Sequence, residues 1–260
     1  LNPIDLRETL LRELMPRAGS LALASYRSPD LVAEAKGVQD VVTAADRDVE
    51  ALLTGRIREV FPEDGFIGEE GGERAPAPGG AVWVIDPIDG TANFARGLPL
   101  WCVSVGVLFE GTIVLGAIFD PVGNELFFAR KGRGATRNGT PIRVSDRTDV
   151  GRARIGLGFS YRRPPELHVA AVAAMLDQGC EYSRLGSGAL GLAYVADGRF
   201  EGYWEAHINA WDVAAGILLV EEAGGWVSDF LAGDGLHHGN PILASIPALV
   251  PFFRSALKEP

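Results

Sequence analysis

Ala81-Val82-Trp83-Val84-Ile85-Asp86-Pro87-Ile88-Asp89-Gly90-Thr91 opens with five apolar residues in a row and then presents two acids around a proline, followed by a Gly-Thr pair. The apolar run predicts a strand ending at Ile85 and covered on both faces. Such a strand drives Asp86 towards the interior, where an unpaired charge is costly. Pro87 fixes the turn between the acids. In this arrangement Asp86 can bridge two cations, the Ile88 carbonyl can supply a neutral oxygen and Asp89 can hold the second cation, because hard divalent ions such as Mg²⁺ take oxygen ligands. Gly90 and Thr91 begin a helical turn whose N–H groups and positive dipole end suit a phosphate. Two cations about 3.5–4 Å apart can activate a water on one side and stabilise a leaving oxygen on the other.

Outward from this segment, further acids stand at element ends. Asp46 opens a helical stretch over 45–61, Glu69 and Glu70 follow the β-prone Phe66-Ile67, and Asp212 opens a helix after Trp211. Taken singly, Asp46 and Asp212 read more readily as helix N-caps. The chain begins with an amphipathic helix over 4–26, with Pro16 as a place for a kink, and a β-prone run over 38–43 follows. Residues 71–80, with two prolines and four glycines, read as a loop. Strands over 101–109, 112–119 and 125–129, parted by turn signals, form an antiparallel meander.

The second half alternates strand and helix. Strands are expected at 154–158, near Tyr182, at 200–204 and at 226–228, and helices at 165–178, 189–197, 213–223 and 247–257. The polar stretch 138–151 divides the chain into an α+β unit, 1–147, and an α/β unit, 148–260, the second supplying Asp212.

Composition and motif tests narrow the chemistry. The 260 residues are 47% hydrophobic and 22% charged, which excludes intrinsic disorder. With 24 Lys and Arg against 34 Asp and Glu, a net charge of −10 argues against nucleic acid or an anionic membrane as a partner. An anionic substrate would then need local positive charge, and bound cations are one source. Charges interrupt the first 25 residues, which excludes a signal peptide or membrane span there, and Cys102 and Cys180 suggest neither a disulfide framework nor a zinc site, so a reducing cytoplasm is expected. A phosphate-binding G-x-x-x-x-G-K-[ST] loop, H-E-x-x-H and G-x-S-x-G are all missing. The His237-His238 pair reads as a solvated loop. An aspartyl-phosphate loop is excluded because Pro87 stands where its nucleophile would be.

The remaining pattern resembles the inositol monophosphatase family, the Mg²⁺-dependent, lithium-sensitive phosphatases. The resemblance is carried, in order, by Asp40-Val-Val-Thr-Ala-Ala-Asp46, Phe66-Ile-Gly-Glu-Glu70, Trp83 to Phe94, Gly97-Leu-Pro99, Gly186-Ser-Gly188, Trp211-Asp212 and Glu222-Ala-Gly-Gly225. It implies a layered αβαβα sandwich of the inositol monophosphatase and fructose-1,6-bisphosphatase type. It implies that Glu69, Asp86 and the Ile88 carbonyl bind a first Mg²⁺, that Asp86, Asp89 and Asp212 bind a second, and that Glu69 helps with a weaker third. Thr91, bonded to Asp46, would orient the attacking water, and the Gly90 and Thr91 amides would hold phosphate, while Gly186, Gly188, Glu205 and Asp212 would face the alcohol.

Lys36 matches a basic residue near the site in the family, and a solvated lysine is the alternative. Glu205 favours a polyol. Asn209, the Ser160 to Arg163 segment and the Ala95-Arg96 pair depart from the family pattern and bear on substrate choice. The substrate expected first is inositol monophosphate, with histidinol phosphate, fructose 1,6-bisphosphate and NADP⁺ as rivals. The resemblance also implies a homodimer and, from bacterial members, the alternative of a regulatory protein-binding role.

Overall fold

The computed structural model describes residues 2–37 and 40–257. A helix α1 (Pro3–Ser25) leads through the antiparallel pair β1 (Ala33–Gly37) and β2 (Asp40–Thr43) to a second helix, α2 (Ala44–Val60). Asn2 caps α1 through a bond from the Ile4 amide, and the helix runs past Pro16 without a break. Residues 38 and 39 of the β-prone run, and the Lys36 side chain, lie outside what the structure describes.

Next comes an eight-stranded sheet: β3 (Gly65–Gly68), β4 (Gly72–Arg74), β5 (Val82–Asp89), β6 (Cys102–Phe109), β7 (Thr112–Asp120), β8 (Glu125–Arg130), β9 (Ala135–Arg137) and β10 (Thr140–Ile142), with the short helix α3 (Thr91–Ala95) after β5. Its spatial order is β10-β9-β8-β7-β6-β5-β3-β4. The meander is as expected, whereas part of the expected 71–80 loop is the edge strand β4, paired antiparallel with β3. An exposed edge strand leaves one face and one side to water, so its residues carry no apolar signal.

The second half supplies β11 (Arg154–Leu157), α4 (Pro165–Asp177), β12 (Glu181–Ser183), α5 (Gly188–Ala196), β13 (Gly202–Ile208), α6 (Ala210–Glu222), β14 (Trp226–Val227), α7 (Gly235–His238), β15 (Asn240–Ser245) and α8 (Val250–Leu257). Its five-stranded sheet runs β12-β11-β13-β15-β14. β15, which the pattern of the sequence does not single out behind Asn240-Pro241, pairs antiparallel with both β13 and β14, so the sheet is mixed. His237 and His238 stand on a short exposed helix instead of a loop, each beside Asp234, and the expected last helix begins as a 3₁₀ turn at Pro247–Leu249. Among the described residues no helix is long and apolar enough to cross a membrane.

Three apolar layers hold the sheets and helices in an αβαβα order. α1 and α2 cover one face of the large sheet through Leu11, Leu14, Val49, Leu53, Trp83 and Val105. α5 and α6 fill the space between the two sheets, and α4 and α8 close the far face of the small sheet around Ile155, Met175 and Phe253. The central layer is the one that places the site. Gly106 and Gly116 face each other across β6 and β7, and a Cβ on Gly106 would lie 2.7 Å from the Ala214 Cβ, one on Gly116 2.6 Å from the Ala215 carbonyl. Two glycines therefore let α6 settle directly on the sheet, and Asp212 stands at its first turn.

Asp64, buried before β3, accepts from Arg7 Nε at 2.8 Å, from the Ala81 amide at 2.9 Å and from the Trp83 indole at 2.8 Å, and the Arg7 guanidinium lies 4.6 Å from the Phe61 ring centre. This network ties α1 to the start of β5. Asp64→Asn leaves a buried guanidinium without its counter-charge and is expected to lower stability by about 3–5 kcal/mol. The midpoint of urea unfolding, at unchanged slope, measures it; a loss below about 1 kcal/mol would refute the role of the network.

Candidate functional site

β5 does not stop at Ile85. It continues to Asp89 through a bulge in which Asp86 pairs with Ser104 and Asp89 with Cys102, three steps on one strand against two on the other. Pro87 has no N–H to give the ladder, so the irregularity falls where a hydrogen bond is missing anyway. Residues three apart on a regular strand point to opposite faces; the extra residue turns Asp86 and Asp89 to the same side. The Ile88 amide donates to Asp86 Oδ1 at 3.0 Å, closing the turn.

Asp89 is the joint between the two halves. It accepts from Ser187 Oγ at 2.6 Å, from the Ala189 amide at 2.6 Å and from the Gly188 amide at 3.2 Å, all at the start of α5. Cys102 Sγ lies 3.8 Å from its Oδ2. Asp212 caps α6 by accepting from the Asn209 amide at 3.0 Å. Asp86, Asp89 and Asp212 bring ligand oxygens within 4.8 Å of one another.

Burial, first, and then the charges of Glu69, Asp89, Asp212 and Asp46 hold the Asp86 carboxyl well above the usual carboxylate range. Asp212 is pushed up likewise, by burial and by Asp89, Glu69 and Glu205. Asp89 is raised by burial against the opposing bonds from Ser187, Ala189 and Gly188. Among the described residues no lysine or arginine forms an ion pair with these three acids. Mutually repelling carboxylates, Asp86 and Asp89 buried and Asp212 half-buried, with their oxygens converging, form a donor set that fits a divalent cation.

Beside the cluster, Gly90 takes a left-handed conformation, φ 93°, and leads into α3. Thr91 Oγ1 lies 3.0 Å from Asp46 Oδ1 and 2.8 Å from the Ile88 carbonyl, both of which can accept its proton. Asp46 both caps α2 and reaches Thr91: its other oxygen accepts from the Thr43 amide at 2.8 Å and the Thr43 hydroxyl at 2.6 Å. Burial raises the Asp46 carboxyl, with the Thr43 and Thr91 bonds opposing.

A cavity of about 470 Å³ opens over the cluster. Glu69, Asp89, Gly186, Gly188, Glu205 and Asp212 all line it, so the structure brings together most of the residues singled out in the sequence. Asp86, Ile88, Thr91 and Asp46 are buried and do not line it; Asp86 meets Asp89 and Asp212, the Ile88 amide bonds to Asp86, and Thr91 connects Ile88 to Asp46. Burial pushes Glu205 up to about 7, with a hydrogen bond from Tyr203 and the Arg184 and Arg162 charges pulling it down. Arg162 donates to Asn209 Oδ1, linking the 158–163 segment to the cap of α6. His207 is lowered by burial and by Arg162 and Arg163.

Two residues of the site are not among those expected from the sequence: Ser187, between Gly186 and Gly188, and Tyr203, whose place two residues before Glu205 on a strand puts both on one face. Nothing in the sequence marked Cys102 as a neighbour of Asp89, because that contact is made across strands.

Residues 6–250 match the inositol monophosphatase family. The Nus factor SuhB of Escherichia coli (strain K12) is 39% identical over 246 residues, which make up 94% of this chain and 92% of that protein. The solved structure of extragenic suppressor protein suhB from Bartonella henselae matches with a TM-score of 0.91 at 32% identity, over 98% of this chain and 99% of that one. Inositol monophosphatase from Anabaena (Nostoc) sp. PCC 7120 matches with a TM-score of 0.82 at 36% identity, over 95% and 93% of the respective chains.

Proposed function

Because the chain belongs to the inositol monophosphatase family, we propose that it hydrolyses a small phosphate monoester with the help of Mg²⁺, inositol monophosphate first among the candidates. The observation that carries this reading is the convergence of Asp86, Asp89 and Asp212 without a basic partner among the described residues. Two or three Mg²⁺ ions would neutralise the phosphate and make a water acidic enough to attack it. Asp86, Asp89, Asp212, Glu69 and the Ile88 carbonyl would hold them.

The rest of the work falls to the chain's own groups. Thr91 donates its one hydroxyl hydrogen to Asp46 or to the Ile88 carbonyl, which leaves a lone pair of its oxygen to accept a hydrogen bond from water and orient that water towards phosphorus. The Gly90 and Thr91 amides suit the phosphate oxygens. Gly186 and Gly188 keep the wall next to Asp89 thin, and Glu205 and Asp212 accept from alcohol hydroxyls. Catalysis on this reading is positioning and charge neutralisation, with no covalent intermediate. The family reading extends to lithium sensitivity, to a cytoplasmic homodimer and to a division of the chain near residue 147, the last supported by the segment between β10 and β11 that passes from one sheet to the other.

The test is phosphate release from inositol 1-phosphate, histidinol phosphate, fructose 1,6-bisphosphate and NADP⁺, with Mg²⁺ and with chelator. Turnover of inositol 1-phosphate exceeding the others and lost with chelator is the expected result. Preference for another substrate would keep the metal chemistry and replace the inositol assignment; no turnover of any would refute the reading. A second reading, a regulatory protein-binding role, is favoured by the name Nus factor borne by the 39%-identical relative.

A further inference from the structure

Tyr203 and Glu205 alternate along β13 onto one face, and the Tyr203 hydroxyl donates to Glu205 Oε2 at 2.7 Å. Both side chains are buried, the tyrosine 3% and the glutamate 8% exposed, and both line the cavity. The space they occupy is made by glycines. Gly156 stands directly across from Tyr203 in the parallel pairing of β11 with β13, and a Cβ there would come within 2.7 Å of the tyrosine ring. One on Gly191 of α5 would come within 2.4 Å of the same ring. At Gly158 a Cβ would lie 1.9 Å from Glu205 Oε2 and 2.6 Å from the Tyr203 hydroxyl. Three glycines, one on β11, one just after it and one on α5, thus leave room for this ring and for this hydrogen bond.

We propose that Tyr203 is a positioning residue for substrate choice: its hydroxyl occupies one oxygen of Glu205 and holds the other towards the cavity as the acceptor for a hydroxyl of a polyol monophosphate. The inference rests on the phosphatase reading of the same site. Its chemistry needs Tyr203 to remain a donor, and burial together with the Glu205 charge keeps the phenol proton in place well beyond its ordinary range. It also needs a carboxylate held in one orientation, since an acceptor free to rotate gives up entropy when the substrate binds. The charged groups facing Glu205 are Asp89 from β5, Asp212 from α6, Arg184 from the segment before α5 and Arg162 from the segment after β11. The two arginines oppose the two aspartates, and the Tyr203 bond adds to the side that favours the charged form.

The test compares kcat/KM for inositol 1-phosphate with that for phenyl phosphate, which offers Glu205 no alcohol; the ratio removes the shared metal chemistry. In Tyr203→Phe the ratio is expected to fall about tenfold, mainly through KM for the inositol ester. The pH at which the ratio rises is expected to move upward relative to the native chain, because the lost donor favoured ionised Glu205. In a Glu205→Gln background the same change should cost almost nothing further, since Tyr203 acts through that carboxylate. Gly158→Ala, whose Cβ would crowd both Glu205 Oε2 and the Tyr203 hydroxyl and so break the same hydrogen bond by displacement, should lower the ratio as well and serves if Tyr203→Phe folds poorly. An unchanged ratio in either folded variant, or an undiminished loss in the Glu205→Gln background, would overturn the role of Tyr203 while phenyl phosphate turnover keeps the phosphatase reading. Silence of the native chain towards both esters would overturn both.

Discussion

Asp89→Asn is expected to reduce Mg²⁺-dependent phosphate release by about 10³-fold or more, on the order of 4 kcal/mol of transition-state stabilisation, in a chain that still folds. The substitution keeps the side chain's shape and removes one negative charge from a cluster whose oxygens lie within 4.8 Å of one another. The fold tolerates it for a local reason. Asp89 accepts from Ser187, Gly188 and Ala189, and an amide oxygen can keep one of the backbone donors while the Ser187 hydroxyl turns to accept from the new NH₂. One backbone donor goes unmet, at about 1–3 kcal/mol, and the relief of repulsion with Asp86 and Asp212 offsets part of it. Phosphate release and thermal unfolding of the same preparation measure both halves. Turnover within tenfold of the native chain in the folded variant would remove Asp89 from the metal centre. The variant also separates the two readings of function: a stoichiometric partner captured equally by native and Asp89→Asn chains would favour the protein-binding role.

Removing divalent ions is expected to leave a protein that loses stability as pH rises from 5 to 8, and Mg²⁺ is expected to abolish most of that slope. The sign follows from the direction of the shifts. Asp86, Asp89, Asp212 and Asp46 are all held above their ordinary carboxylate range in the folded chain, each chiefly by burial. A carboxyl raised in this way binds its proton more tightly folded than unfolded, so its contribution is full below about pH 4 and is lost as pH rises through the folded value. Glu205, raised to about 7, alone amounts to a loss on the order of 3 kcal/mol across that interval.

A cation replaces the missing protons and stabilises the folded chain by about 2.7 kcal/mol per site at a hundredfold excess over its dissociation constant, which is a rise in Tm of roughly 5 °C or more. Thermal melts at pH 5, 6, 7 and 8, with chelator and with Mg²⁺, read the effect directly. Identical melting temperatures at pH 8 with and without the ion would contradict the metal assignment, because that is where the repulsion is greatest.

Much of the candidate site was legible in the chain because its residues announce themselves locally. Asp86 and Asp89 follow an apolar strand, and Gly90-Thr91 follow them; Asp46 and Asp212 sit one turn into helices that they cap. What escaped were contacts between segments distant in sequence. Ser187 was visible as a residue and invisible as the donor to Asp89, 98 positions earlier. β15 was missed because a short run behind Asn-Pro looks like loop until two neighbouring strands pair with it. β4 reads as loop in the sequence because an exposed edge strand has no buried face to leave a pattern.

By itself the sequence determined that strands and helices alternate in layers, that the strand ending in Asp86 is covered on both faces, and that the acids gather at element ends, since periodicity and capping act within a few residues. Tertiary structure alone decided that three of those acids share one point. The bulge at Pro87-Ile88 turns Asp86 and Asp89 to the same side, the Gly106–Gly116 notch lets α6 bring Asp212 down onto them, and the amides at the start of α5 hold Asp89 in place. Each of these depends on how closely two backbones approach across the core. A sequence records that distance only as the lack of a side chain.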